Sequence, residues 1–115
     1  MSGLLFLDSG SFSLKREAET YRKENPGCDV WDYYHSDAHF RYLDDYADFI
    51  KQYGEAIDYY ANVDVIRNAE LSWRNLRYLE DEHKLTPVPV LHNDCDSQWI
   101  RKHLEYGYDF IVLGS

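Results

Sequence analysis

The sequence predicts an α/β fold in which parallel strands are joined by helices. Three observations lead to this prediction: four short apolar runs of strand length, segments with helical periodicity between them, and polar or turn residues that close each run. This alternation is typical of parallel strands connected by right-handed helical crossovers. A chain of 115 residues has room for one core, so we expect a single domain over residues 1–115.

The four predicted strands are rich in branched and aromatic residues. They cover residues 4–8, 59–66, 88–92 and 110–115. Runs with apolar residues on both faces are typical of strands buried in a parallel sheet.

Three main helices are predicted from apolar residues at three- and four-residue spacing. Asp37, Asn68 and Asp96 are the expected N-caps, and Gly54 and Gly107 follow the first and third helices. The apolar stripes are Phe40-Leu43-Ala47-Ile50, Ala69-Trp73-Leu76-Leu79 and Trp99-Ile100-Leu104.

The segment 15–34 does not fit the alternation. It is charged, contains Pro26 and Gly27, and shows no clear period. We therefore predict a loop insertion, or a short helix, lying over one end of the sheet.

Charge and composition narrow the function classes. Acidic residues outnumber Lys and Arg by 21 to 12, and this net charge of −9 argues against a bare nucleic-acid-binding module, since binding phosphates takes clustered cations. Aromatic residues make up 17% of the chain, which favours amphipathic packing surfaces under loops or in an interface. Cys28 and Cys95 form no zinc pattern, so we expect free thiols, a cytoplasmic protein and neither metal nor cofactor. No run is long enough to cross a bilayer, and no signal-peptide pattern opens the chain, so we expect no membrane partner.

Polar residues close the predicted strands. In parallel α/β folds, ligands bind at the carboxyl ends of the strands. Asp8, Asp64, His92 and Gly114 stand at these ends, so we expect them to converge on one face. Asn62 lies two residues before Asp64 on the same side of its strand and is predicted to contact the ligand one layer deeper.

Structural roles remain open for these residues. Asp8 is also a suitable turn-capping residue, Asp64 a partly buried carboxylate that needs a partner, and His92 a hydrogen-bonding residue at a strand end. The glycines serve tight backbone geometry as readily as ligand approach. His35 and His39 are four residues apart and would share a helix face, but no zincin pattern surrounds them, so a metal role is not favoured.

The motif LDSGSFS at residues 7–13 resembles the first strand and turn of the tRNA-guanine transglycosylase superfamily. The segments YYANVDVI, WRNLRYLE, PVPVLH and YDFIVLGS are similar, in order and spacing, to phage and bacterial transglycosylase-like proteins associated with 7-deazaguanine modification. The resemblance implies a (β/α)8 barrel and a base exchange. In that reaction a glycosidic bond is cleaved through a covalent sugar-enzyme intermediate, and a modified base is installed.

The resemblance also implies roles for individual residues. Asp8 would be the catalytic acid that transfers protons to and from the base, and Asp64 the acid that reads the purine edge. The other matched residues are Ser9 and Gly10, which shape the Asp8 loop, His92, where the family often has Gln, and Gly114, whose backbone would contact the base.

The resemblance extends to only part of the family's architecture. Its nucleophile, another Asp, lies on a strand that would follow residue 115, and its cysteine-rich zinc subdomain has no counterpart here. A full barrel takes about 250 residues, so we expect the first half of a barrel, with four strands and three main helices. Such a half would bind a guanine or 7-deazaguanine base and would be incomplete alone, reaching tRNA or DNA through a completing half.

Two alternatives come from other function classes. One is a non-catalytic half-barrel that self-associates into a homo-oligomer through its open edges and binds a protein partner with its acidic, Tyr-rich surface. The other is a metal-dependent barrel hydrolase, although the His-x-His pattern that many such enzymes carry on the first strand is missing.

Overall fold

The computed structural model describes residues 3–114 and shows a mixed α/β chain with short parallel strands. Within these residues the α-helices are α1 (Ser11–Glu24), α2 (Asp37–Tyr53), α3 (Ala69–Asp81) and α4 (Ser97–Tyr106). The strands are β1 (Phe6–Leu7), β2 (Tyr59–Tyr60), β3 (Val90–His92) and β4 (Val112–Gly114). Two short 3-10 turns, Asp32–His35 and Gly54–Ala56, flank α2. Ser115, in the last predicted run, lies outside the described residues.

The strands pair in parallel. β1 pairs with β2 so that Phe6 lies opposite Tyr59, and β3 pairs with β4 so that Val90 lies opposite Val112. Residues opposite each other in a parallel ladder share a face of the sheet, and successive residues alternate between faces. The register therefore assigns each strand residue to one of two faces.

A parallel bridge connects the two strand pairs. It joins Ala61 to Val88, where the Val88 amide donates to the Tyr60 carbonyl and the Asn62 amide donates to the Val88 carbonyl, both at 2.8 Å. The regular ladders are much shorter than the predicted runs. In the run 59–66 this is because the chain beyond Asn62 bonds to a helix instead of to a neighbouring strand.

The first half of the segment 15–34 is helical, so of the two predicted alternatives, a loop insertion or a short helix, the structure shows a helix there. Most of α1 lies in this segment, and its Leu14 and Ala18 are buried in the core, with Tyr21 packed beside them. These residues recur at spacings of four and three, so they lie on one side of the helix. The stripe is narrow and surrounded by charged residues, and for this reason the periodicity is weak in the sequence.

The helix ends follow local hydrogen bonding. Asn68 caps α3 by accepting from the Leu71 amide at 2.9 Å, and Asp96 caps α4, as predicted. At α2 the cap is Ser36, whose hydroxyl accepts from the His39 amide, so the prediction of Asp37 was one residue late.

The core lies between the strands and helices α1 to α3. The predicted stripes of α2 and α3 are mostly confirmed, since Leu43, Ala47, Ile50, Leu76 and Leu79 are all buried. The stripe of α4 is wrong in part: Leu104 is exposed, and the buried side chain of this helix is His103, which packs edge-on against Trp73 of α3.

Candidate functional site

Polar side chains of α3 hold the chain segment that follows β2. The Ser72 hydroxyl accepts from the Val65 amide at 2.7 Å, and the Asn75 side-chain amide donates to the Val63 carbonyl at 2.9 Å. Ser72 and Asn75 are three residues apart, so they face the same segment. The side chains of Val63 and Val65 are buried in the core on either side of Asp64. This arrangement fixes Asp64 without a regular strand.

Asp64 pairs with His92 of β3. The Asp64 Oδ2 and His92 Nε2 atoms are 2.7 Å apart, and the side chains are 6% and 18% exposed. Because a carboxylate only accepts, the imidazole donates through Nε2. In the neutral ring this leaves Nδ1 as the hydrogen-bond acceptor. The pair thus presents a histidine of fixed tautomer at the carboxyl end of β3.

Gly114 of β4 lies beside the His92 ring, directly opposite it in the ladder. A Cβ atom at Gly114 would be 3.5 Å from His92 Nδ1. A larger side chain at this position would therefore cover the free nitrogen of the ring. The absence of a side chain keeps this side of the imidazole open.

A cleft with two arms lies around His92. Each arm has a volume of about 230 Å³, and His92, Arg67 and Asp94 line both of them. Trp99 contributes an aromatic ring to one arm and Phe12 to the other. Each arm alone is below the 300–1,000 Å³ typical of ligand pockets, and the three shared lining residues place the two arms side by side around His92.

Arg67 has a left-handed backbone in the cleft wall, with φ of 66°. This conformation is unfavourable for a residue with a side chain and occurs often at functional sites. The Arg67 side chain is exposed and supplies a positive charge beside the buried Asp64–His92 pair. Asp94 lines both arms beside Arg67, so the cleft offers a cation and a carboxylate to a polar ligand.

Asp8, Ser9 and Gly10 form the turn between β1 and α1. Asp8 is exposed, whereas Ser9 is buried and its carbonyl accepts from the Tyr42 hydroxyl of α2. Gly10 has φ of 76°, and a Cβ atom there would be 2.6 Å from the Tyr42 oxygen. The conformation and the close approach together require glycine at this position.

The Tyr46 hydroxyl is buried beneath the site. It donates to the Ala61 carbonyl at 2.7 Å. Burial raises the pKa of Tyr46, and the neighbouring charges of Asp8 and Asp64 raise it further. Both carboxylates therefore act on one hydroxyl, although Asp64 has His92 as its direct partner.

The predicted site residues divide into three groups. Asp64, His92 and Gly114 lie together, whereas Asp8, which the strand-end argument placed with them, lines neither arm of the cleft. Asp8 and Gly10 form an adjacent turn next to Tyr42. The third group is internal: Ser9 and Asn62 are each 1% exposed, and the Asn62 amide donates to the Ser72 carbonyl at 2.9 Å.

Two internal polar atoms of the predicted site have no hydrogen-bond partner among residues 3–114. They are the Ser9 hydroxyl and the Asn62 side-chain oxygen. Both are inaccessible from the cleft surface, so they cannot contact a ligand in this conformation.

Sequence reasoning missed the residues that support the site. Ser72 and Asn75 lie on the buried side of α3, Tyr42 and Tyr46 on α2, and Arg67 in the loop before α3. A usable signal was present for the first pair: the spacing of Asn68, Ser72 and Asn75 is helical, so a polar stripe runs beside the apolar one. The backbone conformation of Arg67 has no sequence signature.

Other candidate features of the sequence have the following surroundings among residues 3–114. No three His, Cys, Asp or Glu side chains within 3–114 lie close enough to hold a metal ion. His39 is internal and bonds to Asn75, while His35 contacts Arg74. Burial raises the pKa of the Cys95 thiol in the cleft wall, which disfavours the nucleophilic thiolate. No helix in this part of the chain is both long and apolar enough to span a membrane.

Comparison of the chain with protein-family models, with curated proteins and with solved structures found no match.

Proposed function

We propose that this chain forms half of a parallel (β/α)8 barrel and binds a guanine or 7-deazaguanine base in the cleft around His92. The Asp64–His92 pair carries the proposal, because a buried carboxylate at 2.7 Å fixes the imidazole at the carboxyl end of a strand. The resemblance of LDSGSFS and the later segments to transglycosylases supplies the class of base. The alternating helices and strands are consistent with a barrel half.

The pairing order supports the half-barrel. β1 pairs with β2, the Ala61–Val88 bridge continues from β2 toward β3, and β3 pairs with β4, all in parallel. Parallel strands that are neighbours in chain order are the arrangement of (β/α) barrels. Doubly wound sheets instead reverse their strand order at a switch point.

The chemistry of the cleft suits a guanine edge. The fixed tautomer of His92 offers Nδ1 as an acceptor, and guanine carries a ring N–H donor at N1. Adenine has an acceptor at the same position, so two lone pairs would face each other. Trp99 and Phe12 offer rings on which a flat base can stack, at about 1–3 kcal/mol per contact.

In this proposal Asp64 reads the base through His92 instead of touching it. The Asp64 side chain is 6% exposed, whereas the His92 side chain is 18% exposed and lines both arms of the cleft. Asp8, which is exposed at the end of β1, is the candidate for proton transfer. Base recognition is thus assigned to the described residues, and glycosyl exchange on tRNA or DNA to a completed barrel.

Direct binding tests the proposal. The full chain is titrated with guanine, 7-deazaguanine and adenine, and binding is followed by ligand-observed NMR. The two guanine-type bases should bind, and adenine should bind at least tenfold more weakly. His92→Phe should weaken binding of guanine by about 10- to 100-fold. This is the loss expected when the hydrogen bond from the base to His92 Nδ1, whose ring is polarised by Asp64, is removed.

Two further variants separate recognition from folding. His92→Gln retains an acceptor and should bind within a few-fold of the original chain. Asp48→Asn removes an equally negative but exposed charge on α2 and should have no effect. Equal binding of adenine and guanine, or an undiminished affinity in His92→Phe, would overturn the proposal.

A further inference from the structure

One face of the strands carries large apolar side chains that the helices do not cover. Leu7 packs against the core, so the adjacent Phe6 lies on the opposite face, and the same alternation continued back along the chain assigns Leu4 to the face of Phe6. On that face Leu4 is 81%, Phe6 48%, Tyr59 51% and Phe110 62% exposed. We call this surface the inner face. Its apolar part lies toward the amino ends of the strands, and Asp8, His92 and Gly114 lie toward the carboxyl ends.

Two aromatic side chains of the inner face are in contact. Tyr59 on β2 and Phe110 just before β4 stack with their ring centroids 6.4 Å apart. In a flat sheet, strands two places apart are separated by about 9–10 Å. The two rings therefore lean toward each other over β3 and form one continuous apolar patch on this face.

Both outer strands have an unpaired edge among the described residues. β1 pairs only with β2 and β4 only with β3. The Leu5 and Leu7 carbonyls bond toward β2, so the amide of Phe6 points away from it. By the same alternation, the amide of Leu113 points away from β3.

The area and charge of the inner face fit a second copy of this chain. If each of its four large side chains presents roughly 200 Å² when fully exposed, their exposed fractions leave on the order of 500 Å² of apolar surface per copy. Two copies would bury about 1,000 Å², and the strand edges would add to this, which reaches the range of specific interfaces. The four large side chains are uncharged, and the charged residues around His92, among them Asp64 and Arg67, lie with Asp8 toward the carboxyl ends, so the net charge of −9 does not concentrate on the apolar part of this face.

We infer that two copies of this chain join through their inner faces to close an eight-stranded barrel. A twofold axis along the barrel places β4 of each copy beside β1 of the other, with all strands parallel. Eight strands give an interior that side chains just fill. The inference shares the half-barrel arrangement with the proposed function, but it does not depend on any ligand.

Sedimentation-velocity ultracentrifugation of the full chain over a range of concentrations tests the inference. We expect a dimer that becomes tighter as salt is raised, since salt screens the like charges and leaves apolar burial in place. Phe6→Glu and Phe110→Glu should each weaken the dimer at least tenfold. Circular dichroism checks that these variants remain folded.

Phe49→Glu is the matched control. Phe49 lies on α2, away from the strands, and at 47% it is as exposed as Phe6. This variant should dimerise like the original chain. A monomer at all concentrations, an unaffected dimer in both inner-face variants, or an equal loss in Phe49→Glu would overturn the inference. The first of these outcomes would leave a different protein as the occupant of the face.

Hydrogen exchange distinguishes edge pairing from other contacts through the same face. The Phe6 and Leu113 amides should become protected as concentration rises. A dimer that leaves both amides unprotected would contradict the closed barrel. Loss of guanine binding with an intact dimer would count against the proposed function alone.

Discussion

His39 is a buried histidine whose protonation should control stability in acid. The side chain is 0% exposed and contacts the rings of Tyr33 and Tyr34 at 5.5 and 5.1 Å between centroids. Its Nε2 is 3.3 Å from the Asn75 side-chain oxygen, and its Nδ1 has no partner among the described residues. Burial lowers the pKa of His39 to about 4, and the positive charge of Arg74 acts in the same direction.

The direction of the pH effect on stability follows from the proton affinity of His39 in the folded and in the unfolded chain. In the unfolded chain, histidine has a pKa near 6.5, so it binds a proton below that pH while the folded chain does not. Stability from neutral His39 is therefore fully present above about pH 6.5 and falls as the pH falls toward 4. A difference of this size corresponds to about 3 kcal/mol in the free energy of unfolding at pH 4.

His39→Phe isolates this contribution. Phenylalanine suits the aromatic surroundings, and Asn75 keeps Arg74 as a donor at 2.9 Å. Urea denaturation is measured at intervals from pH 7.5 to 4 for both chains. The free energies of unfolding should differ by a constant amount above pH 6.5, and the variant should gain about 3 kcal/mol relative to the original chain by pH 4.

The difference between the two chains is the decisive quantity, because other groups also titrate. The pKa of His103 is lowered by burial, and that of Asp44 is lowered by its bonds to Tyr78 and His83, so both chains lose stability in acid. These losses cancel when the variant is subtracted. Parallel stability curves for the two chains would refute the assignment of a buried neutral His39.

Two further predictions concern the segments that position the site. Ser72→Ala should lower the free energy of unfolding by about 1–3 kcal/mol, because the buried Val65 amide loses its acceptor at 2.7 Å; urea denaturation measures this, and an unchanged midpoint and slope would contradict the role of the hydroxyl. Gly10→Ala should be more destabilising than Gly107→Ala by at least 1 kcal/mol. Both glycines have positive φ, but only at Gly10 would the new Cβ meet the Tyr42 hydroxyl, at 2.6 Å. Equal thermal midpoints for the two alanine variants would show that Tyr42 moves aside without cost.

The fold could be predicted where burial is periodic. The apolar residues of α2 and α3 repeat at helical spacing, and packing against the strands selects them, so Leu43 and Leu76 are fully buried as expected. The sequence was less informative for α1, where only a narrow stripe is buried. At α4 the buried group is His103, which hydropathy does not identify as a core residue.

The strand lengths could not be predicted for a different reason. The run 59–66 is apolar enough for a long strand, but Ser72 and Asn75 take over the backbone bonds of Val65 and Val63. These bonds come from side chains on another element, and local composition does not report them. Long-range contacts limited the prediction of the site in the same way. Asp64 could be predicted at a strand end, but its pairing with His92, 28 positions away, depends on how the strands pair.

The strand-end site and the inner face belong to the same surface, and this arrangement couples them. The apolar side chains toward the amino ends need cover from water, while His92, Gly114 and Asp8 toward the carboxyl ends need access to a ligand. Closing the inner face with a second chain would bury the apolar side chains. His92, Gly114 and Asp8 of both chains would then surround the opening at the carboxyl end of the barrel. Burial of the apolar layer would also lower the local dielectric around the Asp64–His92 pair, and a hydrogen bond from a base would gain strength there. By linkage, any ligand that binds the closed form more tightly must stabilise the closed form by the same factor.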